Sequence, residues 1–116
     1  MKMLVVGGAG LIGRRLIPRL AKEGHEMTCF DINTHIADVN AKFIRGDVTQ
    51  FDDVIEAVAK VRPDRLINLS YHIGSDLAPH LATKLNIVGM DNCFEAARLF
   101  DVKHTIYASS LAVSGL

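Results

Sequence analysis

At 116 residues the chain is long enough for one domain and no more. Lys and Arg together number 13 and so do Asp and Glu, so no basic field points to nucleic acid and no polybasic stretch to a membrane surface. Apolar residues make up 49% of the chain, enough for a packed core, yet no run approaches membrane-spanning length.

The chain opens on a short apolar run, Met3 to Val6, that reads as a buried strand and leads into glycines. A signal peptide does not fit, because glycines break the run and Arg14-Arg15 follow without a small-residue cleavage site. Gly8, Gly10 and Gly13 satisfy the dinucleotide fingerprint, and Gly7, Gly10 and Gly13 satisfy a GxxGxxG spacing. The first glycine permits a tight turn, the second lets backbone touch a pyrophosphate, and the third lets the helix sit close on the sheet. The helix then aims its unpaired N–H groups and positive dipole end at the phosphates. Leu11, Ile12, Leu16, Ile17 and Leu20 recur at helix-face spacing, which predicts a helix over 11–24 with its stop at Gly24 and a kink at Pro18.

Strand two is expected at Glu26 to Asp31, placing an acid about twenty residues beyond the glycines, as the fingerprint requires. A carboxylate there accepts hydrogen bonds from ribose hydroxyls and repels a 2′-phosphate, so NAD is favoured over NADP. Residues 33–41 read as a loop or a stub of helix. Strand three is Lys42 to Arg45. Thr49 then looks like an N-cap for a helix over 49–62, with Asp52 in its first turn and Phe51, Val54, Ile55 and Val58 on its apolar stripe. Strand four is Arg65 to Ser70. A long helix over about 78–100 has Leu81, Leu85, Val88, Cys93, Phe94, Ala97 and Leu99 on its buried side and ends at Asp101. His104 to Ser109 is strand five.

Five strands alternating with helices predict a Rossmann-type doubly wound parallel sheet in the order 3-2-1-4-5, spanning residues 1–116 as one NAD(P)-binding domain. The first helix lies on one face and the other two on the opposite face, with the ligand crevice between strands one and four. Cys29 and Cys93 read as small buried thiols of a reducing, cytoplasmic protein. Two thiols without a His pair at ligand spacing give no metal site. The five histidines are scattered singly and read as surface or loop residues.

Several segments together resemble the NAD-dependent epimerase/dehydratase family, the extended short-chain dehydrogenase/reductases. Gly7-Gly8-Ala9-Gly10-Leu11-Ile12-Gly13 is similar to the family's glycine motif, and Gly46-Asp47-Val48 to its segment after strand three. Ile67-Asn68-Leu69-Ser70 resembles its strand-four ending. Asn86-Ile87-Val88-Gly89 through Glu95-Ala96-Ala97-Arg98 resembles its long-helix signature, and the run Tyr107 to Gly115 its strand-five ending. The resemblance implies cofactor contacts from Gly7, Gly10, Leu11, Ile12 and Gly13, from Asp31 at the ribose, and from Asp47 and Val48 at the adenine. It also implies contacts from Leu69, Ser70 and Asn86, and a catalytic role for Ser110 on the substrate oxygen. Each has a structural reading too. Asp47 could cap the following helix, Asn86 could be a solvated helix residue, and Ser110 could be a strand-end hydroxyl.

Two departures stand out. Ser70 and Tyr71 occupy positions where the family usually has small apolar residues, and Tyr71 either crowds the nicotinamide side or swings out on its loop. Family chemistry also needs a Tyr with a Lys four residues later, whereas Tyr71 is followed by Ser75 and Tyr107 by Leu111. The chain is therefore expected to be the NAD-binding portion of a hydride-transfer enzyme truncated after strand five. The complete enzyme would act on a hydroxyl-bearing small molecule such as a nucleotide sugar, and the portion would be inactive alone. A non-catalytic dinucleotide sensor is the alternative, and a methyltransferase fits less well. Strand five would be an exposed edge, giving marginal stability or pairing with a second copy as a homo-oligomer.

Overall fold

The computed structural model describes residues 1–33, 41–110 and 114. Five parallel strands form one sheet: β1 (Lys2–Val6), β2 (Glu26–Asp31), β3 (Ala41–Arg45), β4 (Arg65–Asn68) and β5 (His104–Tyr107). Their order is β3-β2-β1-β4-β5, as the alternation of elements predicts. Val5 stands level with Cys29 on one side and Ile67 on the other, so β1 is the central strand. Met3 to Val6 are all buried, which fits a parallel strand covered on both faces.

Alternation along the strands sorts the core into two layers. On one face Leu4, Val6, Phe30 and Leu66 meet Val54, Ala57 and Val58 of helix α2 (Phe51–Val61). Cys93 and Ala96 of helix α4 (Gly89–Leu99) complete that layer. On the other face Met3, Val5, Met27, Cys29 and Ile67 meet Ile17 of helix α1 (Gly13–Lys22), with Leu16 and Leu20 at its margin. The helices divide between the faces as right-handed crossovers require.

Element boundaries differ from the sequence expectations for identifiable reasons. Helix α1 begins at Gly13, so Leu11 and Ile12 precede it and are exposed rather than part of its buried stripe. It runs through Pro18 without interruption and stops at Gly24, whose φ of +97° is open to glycine. Thr49 does not cap α2; Gln50 holds that position and makes no side-chain cap. The Thr49 hydroxyl donates instead to Asp47 Oδ1 at 2.7 Å. Strand β4 ends at Asn68 rather than Ser70, because Asn68 Oδ1 accepts from both the N–H and the hydroxyl of Ser70 and turns the chain.

The long helix is divided. A short helix α3 (Pro79–Thr83) passes into a π-helical turn (Lys84–Val88) and then into α4. The wider turn shifts the buried phase beyond it; Val88, Phe94 and Leu99 are exposed, contrary to expectation, and so is Leu81, which precedes the turn on the cleft side. Cys93 and Ala97 face inward as expected, joined by Gly89, Asn92 and Ala96. Asp101 follows α4 in the left-handed region (φ 51°). Strand β5 ends at Tyr107, two residues early, and pairs with β4 alone among the described residues. Residues 34–40, His35 included, and most of the segment after Ser110 lie outside the described residues. Among the described residues no helix is long and apolar enough to cross a membrane.

Candidate functional site

Where the strand order reverses, between β1 and β4, the chain leaves both strands at the same sheet end and a cleft of about 540 Å³ opens. Its floor is the bend after β1. Gly7 there has φ +76°, and a Cβ on it would lie 2.7 Å from the Ser70 nitrogen. Only a glycine lets the bend pass beneath the loop after β4. A Cβ on Gly13 would drive into the backbone of Gly8, so the start of α1 closes directly on the bend. Gly8 serves packing, not the cleft, since a Cβ there would strike the Cys29 sulfur. Gly10 faces the cleft, where a Cβ would meet little beyond the Gly7 carbonyl. The GxxGxxG spacing therefore describes the bend better than the fingerprint that begins at Gly8.

Asp31 closes the cleft from the end of β2. Its Oδ2 accepts the Ala9 N–H at 2.9 Å and its Oδ1 accepts the Asn33 N–H at 2.9 Å. A carboxylate has about four acceptor sites, so capacity remains for two further donors. Ala9 spends its N–H on this contact, whereas the N–H groups of Leu11 and Ile12 find no acceptor among the described residues. They stand at the positive end of α1.

The third wall is the segment after β3. Asp47 Oδ1 accepts the Thr49 N–H at 2.9 Å as well as its hydroxyl, and Asp53 Oδ2 accepts the Asp47 N–H at 2.9 Å. From α4, the buried Asn92 donates through Nδ2 to the Val48 carbonyl at 2.9 Å. Asp47 thus fixes its own turn, and Val48 presents its side chain between cleft and core.

Of the residues expected at a cofactor site, Gly7, Gly10, Asp31, Asp47, Val48, Leu69 and Ser70 line the cleft together. Leu11, Ile12 and Gly13 stand beside it at the start of α1 rather than in its lining. Asn86 is outside the lining: its carboxamide binds the backbone of His72, with Oδ1 accepting the N–H at 2.7 Å and Nδ2 donating to the carbonyl at 3.0 Å. Ser110 lies exposed beyond β5 and does not line this cleft. Tyr71 lines the cleft and remains 42% exposed. Sequence reasoning missed Asn92 and Lys84, the latter a lining residue on the π-helical turn. The helical period counts both as outward polar residues.

Both thiols are buried and free. Burial, then the nearby Asp31 charge, push the Cys29 thiol up to about 12, against a smaller opposing pull from the Gly8 N–H. Burial alone pushes Cys93 up to about 12. Neither thiol is poised for reaction.

A model of the NAD dependent epimerase/dehydratase family matches residues 3–116. The chain is 32% identical over 127 residues to a UDP-glucose 4-epimerase of Lactobacillus helveticus, covering all of this chain and 37% of that protein. It is 31% identical over 131 residues to Protein CapI of Staphylococcus aureus, covering 99% of this chain and 39% of that one. Among solved structures, UDP-glucose 4-epimerase from Brucella ovis in complex with NAD superposes with a TM-score of 0.88 at 26% identity, over 99% of this chain and 37% of that chain. The corresponding enzyme of Thermus thermophilus, also in complex with NAD, gives 0.86 at 27% identity, over 95% and 38%. The chain therefore spans well under half the length of the relatives it matches.

Proposed function

The chain belongs to the NAD dependent epimerase/dehydratase family, and on that premise we propose that it is the NAD-binding portion of an enzyme acting by hydride transfer on a hydroxyl-bearing substrate such as a nucleotide sugar. The observation that carries this reading is the Asp31 carboxylate held at the glycine bend by the Ala9 N–H, with Asp31 and the bend residues Gly7 and Gly10 lining one cleft. The residues fit a dinucleotide. Gly10 leaves room for a pyrophosphate against the backbone, and the N–H groups of Leu11 and Ile12 are its donors. Asp31 takes the adenosine ribose hydroxyls on its remaining acceptor sites and disfavours a 2′-phosphate in the same place. Asp47 and Val48 take the adenine edge, and Leu69 and Ser70 the wall towards the nicotinamide.

Bound NAD supplies the hydride acceptor. Ser110, on the segment beyond β5, is the residue assigned to the substrate oxygen by the family resemblance. Residues 1–116 contain no Tyr-x-x-x-Lys pair, so no proton acceptor for that oxygen is assigned among them, and binding without turnover is the expected behaviour. A dinucleotide sensor would use the same cleft. The two readings part on whether the full reading frame carries such a pair.

Calorimetric titration tests the binding claim. The chain should bind NAD more tightly than NADP, and Asp31→Asn should narrow that preference. Equal affinities for the two cofactors, unmoved by the substitution, would remove Asp31 from the ribose.

A further inference from the structure

Charge is unevenly placed along the cleft. Asp31 and Asp47 bring two carboxylates to its lining, and among the described lining residues Lys84 alone brings a positive charge. The ion pairs of the described residues join Lys42 to Glu26, His72 to Asp76 and Arg98 to Glu95; Lys84 takes part in none. Lys84 also opens the π-helical turn. Such single-turn insertions are rare and recur at functional sites. Here the turn separates two jobs. Leu81, Lys84 and Leu85 line the cleft before or within it, whereas Gly89 and Asn92 beyond it are buried against Val48.

Building on the NAD reading of the cleft, we propose that Lys84 is a phosphate-contacting residue, its ammonium supplying the counter-charge that the rest of the site lacks. A dinucleotide pyrophosphate brings two negative charges. The end of α1 answers with a partial charge of about one half, and Asp31 and Asp47 add repulsion. A compact ammonium on a flexible stem suits this task, because it follows an anion without needing the planar match an arginine requires. The phosphate concerned is the pyrophosphate, since NAD carries no phosphate at the ribose 2′ position.

The test is calorimetry on the chain with Lys84→Gln and Lys84→Arg, using NAD, ADP, adenosine 2′-monophosphate and adenosine. Lys84 is exposed, so both variants should melt as the parent does. Lys84→Gln should weaken a phosphate-bearing ligand by about five- to tenfold, leave adenosine unchanged and flatten the salt dependence. Lys84→Arg should recover most of the loss. A loss with NAD and ADP supports the contact to the pyrophosphate; a loss confined to adenosine 2′-monophosphate would overturn it. Unchanged affinities, or an equal loss with adenosine, would overturn the proposal while leaving the NAD reading intact. No NAD binding by the parent chain would overturn both.

Discussion

Asn86 spends both halves of its carboxamide on the backbone of His72, accepting its N–H at 2.7 Å and donating to its carbonyl at 3.0 Å. The pair bridges the π-helical turn and the loop that follows β4. That loop carries Tyr71 and Leu77 into the cleft lining, so Asn86 positions the wall without touching the cleft itself.

Replacing Asn86 should loosen this wall. Asn86→Ala leaves two half-buried backbone groups unpaired and should lower stability by about 1–3 kcal/mol in a urea titration. Asn86→Asp keeps the acceptor and loses the donor, so its cost should be smaller near neutral pH. Both should raise the NAD dissociation constant. An effect on binding without any effect on stability would instead make Asn86 a direct cofactor contact.

The glycines of the bend should separate folding from binding. Gly13→Ala sets a methyl against the backbone of Gly8, where nothing flexible can yield, and should unfold the chain or cost more than about 2 kcal/mol. At Gly10 the new methyl meets only the Gly7 carbonyl, at 3.3 Å, so Gly10→Ala should stay within about 1 kcal/mol of the parent. It occupies space at the cleft, however, and should weaken NAD by tenfold or more, roughly 1.4 kcal/mol. Thermal melts and calorimetry on the two variants decide the matter.

The thiols make stability fall in alkali. Cys29 and Cys93 each have a folded pKa raised from 9.0 to about 12. The native state therefore holds their protons more tightly than the unfolded chain does. Their contribution is fully present below pH 9 and is lost as pH rises towards 12. Denaturant titrations at pH 8 and pH 10.5 should show the drop, and Cys93→Ala should make it shallower while lowering stability at both values. At pH 8 neither thiol should react with a disulfide reagent until the chain unfolds.

Much of the fold was legible because the pattern and the physics agree locally. Strand β2 matches its expected bounds residue for residue, since an apolar run closed by an acid has few other readings. The strand order follows from handed crossovers, and Asp31 lies at the bend as its spacing implied. What escaped was whatever depends on a single inserted or diverted hydrogen bond. Nothing in Lys84–Val88 announces a π turn, and one extra residue there exchanges the faces on which Phe94 and Asn92 lie. Thr49 has the right chemistry for a cap, but its hydroxyl is turned back to donate to Asp47 Oδ1, and the helix starts one residue later with Gln50 in the capping position. Asn92 carries no local signal, because its acceptor, the Val48 carbonyl, is 44 positions away in sequence.

Helix α1 is the sole described cover of its side of the sheet, and its first turn abuts the bend that receives the ligand. If α1 lifted away, Met3, Val5, Met27, Cys29 and Ile67 would be wetted at once. A guest seated on the amides of Leu11 and Ile12 gains nothing from that opened form, and so must disfavour it in proportion to its own saturation. Occupancy then works as a clasp on half of the hydrophobic interior, tying the chain's resistance to local opening to the supply of dinucleotide around it.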